Sequence, residues 1–106
     1  MTISPQIINE IVERVRGVAS PERIILFGSS ATGEMTADSD IDLLILEPNP
    51  VDSRDEVHRI RQALRGLGFP FDIIVMPTER YEESKNVIGG IAYPANKYGQ
   101  VIYEAA

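Results

Sequence analysis

Four short apolar runs, set between stretches of helical periodicity, restrict the folds open to this chain. They are Ile24-Ile25-Leu26-Phe27, Ile41 with Leu43-Leu44-Ile45-Leu46, Phe71 with Ile73-Ile74-Val75, and Val101-Ile102-Tyr103. Their length and β-branching mark them as strands, the last an edge strand, and Gly28, Pro48 and Pro77 stop the first three. Ser4-Pro5 supplies an N-cap and a first-turn proline, after which Ile7, Ile8, Ile11, Val12 and Val15 recur at helical spacing until Gly17 and Ser20-Pro21. Ser53-Arg54-Asp55-Glu56 has capping-box spacing and opens a helix with Val57, Ile60, Ala63, Leu64 and Leu67 on one face. Thr78-Glu79 caps a third helix, kinked or short, in which Val87, Ile88, Ile91, Ala92 and Ala95 keep helical spacing against the breakers Gly89, Gly90 and Pro94. The order α-β-β-α-β-α-β predicts an α/β or α+β fold with a small mixed sheet.

Composition narrows the function. A chain of 106 residues suits one compact domain, 1–106, which leans on a partner if its core is small. A formal net charge of -6 argues against gripping nucleic acid directly, since phosphate binding needs clustered Lys and Arg. Arg54, Arg59, Arg61 and Arg65 form the one dense basic group and read as the solvated face of their helix. Without cysteine there is no disulfide and no thiolate metal site. Neither a signal segment at residues 1–5 nor a membrane-spanning apolar run is present, so a soluble, cytoplasmic protein is expected, with no membrane partner.

The residues suited to chemistry cluster after the first strand. Gly28 lets the backbone turn sharply and lets a bulky anion approach main-chain N–H groups, and Ser29 adds a hydroxyl. If Ser29-Ser30-Ala31-Thr32 starts a helical turn, its N–H groups favour phosphate. Taken alone, Gly-Ser is an ordinary strand-ending turn. It is neither a P-loop nor a dinucleotide fingerprint.

Asp40 and Asp42, two apart at the start of the second strand, point to one face. Paired carboxylates suit Mg²⁺, which keeps waters and takes further ligands from substrate phosphates. Like charges side by side are unfavourable unless a cation lies between them. Asp38-x-Asp40-x-Asp42 opens like an EF-hand loop, but Leu43 and Asn49 occupy the positions where that loop needs glycine and glutamate. A dehalogenase-type pair would follow its apolar strand rather than precede it. Asp72 stands alone among Phe71, Ile73, Ile74 and Val75. Either it is buried and needs a cation or hydrogen-bond donors, or it faces water at the exposed strand start after Pro70.

Gly28-Ser29, Gly33 and Ser39-Asp40-Ile41-Asp42-Leu43-Leu44 together resemble the signature of the nucleotidyltransferase superfamily related to DNA polymerase beta. With Asp72 and the ending Gly99-Gln100-Val101-Ile102-Tyr103-Glu104, the chain is similar to the minimal nucleotidyltransferases, or MntA-like antitoxins. The resemblance implies a polymerase-beta-like fold, a small mixed sheet flanked by helices. It implies that Gly28 and Ser29 contact the triphosphate of ATP, and that Asp40, Asp42 and Asp72 bind two Mg²⁺ ions, with Asp72 helping to deprotonate an incoming hydroxyl. It also implies an antitoxin that transfers AMP to a tyrosine of a HEPN-type toxin, in a hetero-oligomer with that partner. One departure is Thr32, where many relatives carry an arginine in the Gly-Ser loop; its loss removes a charge-assisted phosphate contact.

Two further readings stand beside that one. A catalytically weak or inactive antitoxin would neutralise its partner by binding alone. A nucleic-acid-tailing enzyme would need a basic track, which the chain lacks. His58 has no second histidine for a metal site. Tyr81, Tyr93, Tyr98 and Tyr103 read as core-edge or interface residues, and Met35 as a loop residue with no assigned role.

Overall fold

The computed structural model describes residues 3–106. Met1 and Thr2, the start of the segment read for a targeting signal, lie outside the described residues. The elements run α1 (Pro5–Val18), β1 (Arg23–Phe27), α2 (Ser29–Thr32), β2 (Ile41–Glu47), α3 (Ser53–Ala63), β3 (Phe71–Pro77), α4 (Thr78–Ser84), α5 (Ala92–Tyr98) and β4 (Gln100–Glu104). The four strands form one sheet in the order β3-β2-β1-β4, with β4 on the edge as expected. β1 is antiparallel to both neighbours, and β2 is parallel to β3. A parallel pair needs a crossover, which α3 supplies.

Alternation along the strands divides the core into two layers. Ile24, Leu26, Ile41, Leu43, Ile45 and Ile73 face one side, with Ile11 and Val15 of α1 and Ile60 of α3. Ile25, Phe27, Leu44, Leu46 and Met76 face the other, against Tyr81 of α4 and Ala92 and Ala95 of α5. β2 is therefore covered on both faces, which explains its nearly continuous apolar run. Among the described residues no helix is long and apolar enough to cross a membrane.

The helix ends show where local signals were misread. Ser4 caps α1 as expected, its hydroxyl accepting from the Ile7 N–H at 3.3 Å. On α3 the cap is Asp52, one residue earlier than the capping-box spacing implies, and its carboxylate accepts from the Asp55 N–H at 3.1 Å. Ser53 is thereby the first helical residue, and Glu56 turns into the interior instead of reaching back to the cap. Thr78 likewise lies inside α4, and its hydroxyl donates to Glu22 Oε1 at 2.8 Å instead of capping the helix.

The helical pattern drawn through Val87, Ile88, Ile91, Ala92 and Ala95 breaks in two. Gly89 and Gly90 take left-handed φ values of 125° and 66°, which end any helical run there. Val87 and Ile88 are exposed, whereas Ala92 and Ala95 are buried. Pro94 fits because it occupies the first turn of α5, where its missing N–H is no loss. Met35, read as a loop residue without a role, is buried and packs into the α1–α3 layer.

Candidate active site

β1 ends at Phe27, and Gly28 turns the chain into α2 with φ 67° and ψ -154°. Ser30 holds this turn: buried, it donates its hydroxyl to the Phe27 carbonyl at 2.9 Å. The Ser29-Ser30-Ala31-Thr32 stretch is thus the helical turn that was conditional in the sequence. Thr32 is exposed, and its hydroxyl reaches the Ser29 carbonyl at 3.5 Å. It caps its own turn rather than projecting a charge.

The loop back to β2 is pinned at both ends. The Thr36 N–H donates to Ser39 Oγ at 3.0 Å, and the Ser39 N–H returns to the Thr36 carbonyl at 3.1 Å. The Ile41 N–H then donates to the Pro70 carbonyl at 2.9 Å, tying the start of β2 to the approach of β3. Asp40 is left just outside β2, exposed, on the closed turn rather than within the strand where the spacing placed it.

Register brings the remaining carboxylates together. Asp42 is opposite Phe27 of β1 on one side and Asp72 of β3 on the other. Adjacent strands lie about 4.8 Å apart, so Asp42 and Asp72 are direct neighbours on the face that carries Leu44 and Met76. Asp72 is exposed, which settles the choice between a buried and a water-facing carboxylate: its position at the strand start keeps it solvated. Asp42 is half-buried. Burial pushes its carboxyl above the ordinary range, and the charges of Asp72 and then Asp40 push it further.

Gly28 closes the fourth side. A Cβ there would collide with Asp42 Oδ2, so only glycine lets the backbone come this close to the carboxylate. The three aspartates thus share one electrostatic field beside a backbone turn, and the field would be relieved by a cation. Among the described residues, however, no three acidic or histidine side chains converge as a ready metal cage. The donor set fits a hard cation that keeps waters and takes substrate oxygens better than one needing an all-protein cage. A cleft of about 450 Å³ lies elsewhere, at the far end of β2, and none of these residues lines it.

Residues 5–93 match the nucleotidyltransferase domain family. The chain belongs to that family. No curated protein matches it. Among solved structures it is similar to a toxin–antitoxin complex with AMP-PNP, at a TM-score of 0.72 and 19% identity over 92% of this chain and 73% of that one. A putative nucleotidyltransferase from Sulfolobus solfataricus gives 0.62 and 22% over 93% and 78%. A tri-AMPylated Shewanella oneidensis HEPN toxin in complex with MNT antitoxin gives 0.53 and 17% over 94% and 71%. The mixed sheet flanked by helices is the nucleotidyltransferase fold that the sequence resemblance implied.

Two acids are buried that the sequence did not mark as such: Glu47, and Glu56, which reads in sequence only as a capping-box residue. The signal was present, because Glu56 precedes Ile60 by one helical turn and so shares its inward face.

Proposed function

We propose that this nucleotidyltransferase domain, residues 1–106, is a cytoplasmic antitoxin that transfers AMP from ATP to a hydroxyl, a tyrosine, of a HEPN-type toxin. The observation that carries the reading is the register of Asp42 and Asp72 on adjacent parallel strands, with Gly28 pressed against Asp42. Gly28 and Ser29 would hold the triphosphate at the β1–α2 turn. Asp40, Asp42 and Asp72 would hold two Mg²⁺ ions, which when bound supply charge stabilisation to the attacking and leaving oxygens. Asp72, which is exposed, would take the proton of the entering hydroxyl. The acidic chain fits a protein acceptor better than a polynucleotide. The similarity to toxin–antitoxin structures, one with AMP-PNP and one with an AMPylated HEPN toxin, supports the choice of donor and partner.

Incubating the chain with labelled ATP, Mg²⁺ and its toxin partner should label the partner, and Asp40→Asn should abolish the label. A verified partner that stays unlabelled with the wild-type chain would overturn the proposal.

Thr32 in place of an arginine favours a second reading in which the fold neutralises its partner by complex formation alone. Under that reading Asp42→Asn leaves neutralisation intact. Under the first it releases the toxin.

A further inference from the structure

β3 and β4 are the two outer strands of the sheet, and their free edges differ. β4 spans five residues, pairs with β1 through a register shift, and carries Glu104 at 4.0 Å from Arg23. A short, irregular, charge-bearing strand is blunted against pairing with another chain. β3 spans seven residues in unbroken parallel register with β2. Beyond Asp72 it carries no charge, and Ile74 and Val75 on it are only half-buried. The outward N–H and C=O groups of β3 have no further strand to meet. That edge is an open template for strand addition.

Two clefts flank the same edge. One, of about 620 Å³, lies at the start of β3 and is lined by Phe69, Pro70 and Phe71 together with Arg61 and Arg65. The other, of about 320 Å³, follows Ile73, Ile74 and Val75, with Val57 and Arg54 of α3. Arg54 and Arg61 lie about two helical turns apart on α3, and Arg65 follows in the turn at its end. All three are exposed, and among the described residues none of them has an ion pair. Arg59 on the same helix differs, being paired with Asp55. On a chain of net charge -6, this apolar edge with its row of unpaired guanidiniums is a basic exception.

Asp72, the second residue of β3, joins this edge to the candidate active site. Asp42 and then β1 lie on its inner side, so a molecule reaching Asp72 from beyond the sheet meets β3 first.

We propose that the outer edge of β3 is where the acceptor protein docks, adding an extended segment as a further strand whose acidic side chains meet Arg54, Arg61 and Arg65. The inference rests on the reading above that the acceptor is a protein. Main-chain hydrogen bonds seat the segment, and the guanidiniums select it by charge. A second copy of this chain is a poor occupant, because pairing β3 with β3 sets two acidic chains and two rows of arginine against each other. A nucleic acid would engage the arginines and leave the main-chain edge unused.

The test is hydrogen exchange of the full chain, alone and with the HEPN-type toxin, run beside the labelling assay on the same samples. The toxin should slow exchange at the outward amides of β3 and leave those of β4 unchanged. Arg61→Glu should weaken the complex and raise the KM for the toxin by about tenfold or more. The same reversal at Arg16, exposed over the Tyr103 ring on the β4 side, should change both by less than about twofold. Protection elsewhere or nowhere, or an Arg61→Glu chain that binds as tightly as wild type, overturns the docking surface. Label on the toxin decides the transfer reading separately: label without β3 protection leaves transfer standing, and β3 protection without label leaves only the docking surface. Concentration-dependent protection of β3 in the chain alone reveals self-pairing, and protection of β3 by an oligouridylate without toxin reveals a nucleic-acid site. Either of these also overturns the proposal.

Discussion

Asp42 is held in an unfavourable position, half-buried beside two other carboxylates, with Gly28 closing the space behind it. Such a residue trades stability for function, so the two should separate on mutation. Asp42→Asn removes the repulsion and should raise Tm in the absence of metal. The same change should lower AMP transfer by roughly 100-fold or more, a loss of about 2.7 kcal/mol in transition-state stabilisation. A calorimetric scan and a labelling assay on one preparation check both halves. Gly28→Ala should act differently, because it adds a Cβ into Asp42 on a backbone of positive φ. Expected is a loss on the order of 1–3 kcal/mol in urea unfolding, together with lost activity. Glu56 offers the clearest pH effect. Its folded-state carboxyl titrates at about 7 against an ordinary 4.5, so the folded chain binds the extra proton more tightly than the unfolded one. Its contribution is complete below the ordinary range and is lost as pH rises through 7. Urea midpoints should therefore fall between about pH 5 and pH 8 by the equivalent of on the order of 2 kcal/mol, and Glu56→Gln should flatten that slope.

At the level of elements, β2 carries the architecture and α3 carries its crossover. β2 is buried on both faces, and α3 closes the parallel β2–β3 pair that sets Asp42 beside Asp72. Ile60 on α3 is fully buried, so Ile60→Ala should cost about 2–5 kcal/mol and loosen the site with it. Ile88, in the turn after α4, is 82% exposed, and Ile88→Ala should change stability by less than about 0.5 kcal/mol. Paired denaturation curves distinguish the two positions, although the sequence shows both simply as isoleucine at helical spacing.

For the whole molecule, the expected consequence is a coupling between metal, pH and stability. Under the proposed metal role, the raised Asp42 carboxyl would make protons compete with the cation for the same oxygens. Mg²⁺ should raise Tm at neutral pH and do so less under acid conditions, where Asp42 is protonated. At about 100 times its Kd the ion should add about 2.7 kcal/mol, and Asp42→Asn should erase the effect. Thermal melts with and without Mg²⁺ at two pH values provide the measurement.

The strands and the two long helices were readable from residue order alone, and so was the candidate grouping of Gly28 and Ser29 with Asp40 and Asp42. Strand length, β-branching and helical spacing are local properties, and Gly-Ser followed by Asp-x-Asp is a local spacing. The breakers Gly89, Gly90 and Pro94 marked the following helix as kinked or short, but its full split into α4 and α5 was not evident, because a 3.6-residue repeat can continue by coincidence across a turn. That Asp72 sits beside Asp42 depends on the parallel register of β2 and β3, which α3 imposes across the intervening chain. Asp72 therefore read in sequence as either a buried or a water-facing acid, and in space it is an exposed neighbour of Asp42. Glu47 and Glu56 show the same principle in reverse: each is an ordinary acid at a strand or helix end, and only packing one against the other, away from water, makes them a pair.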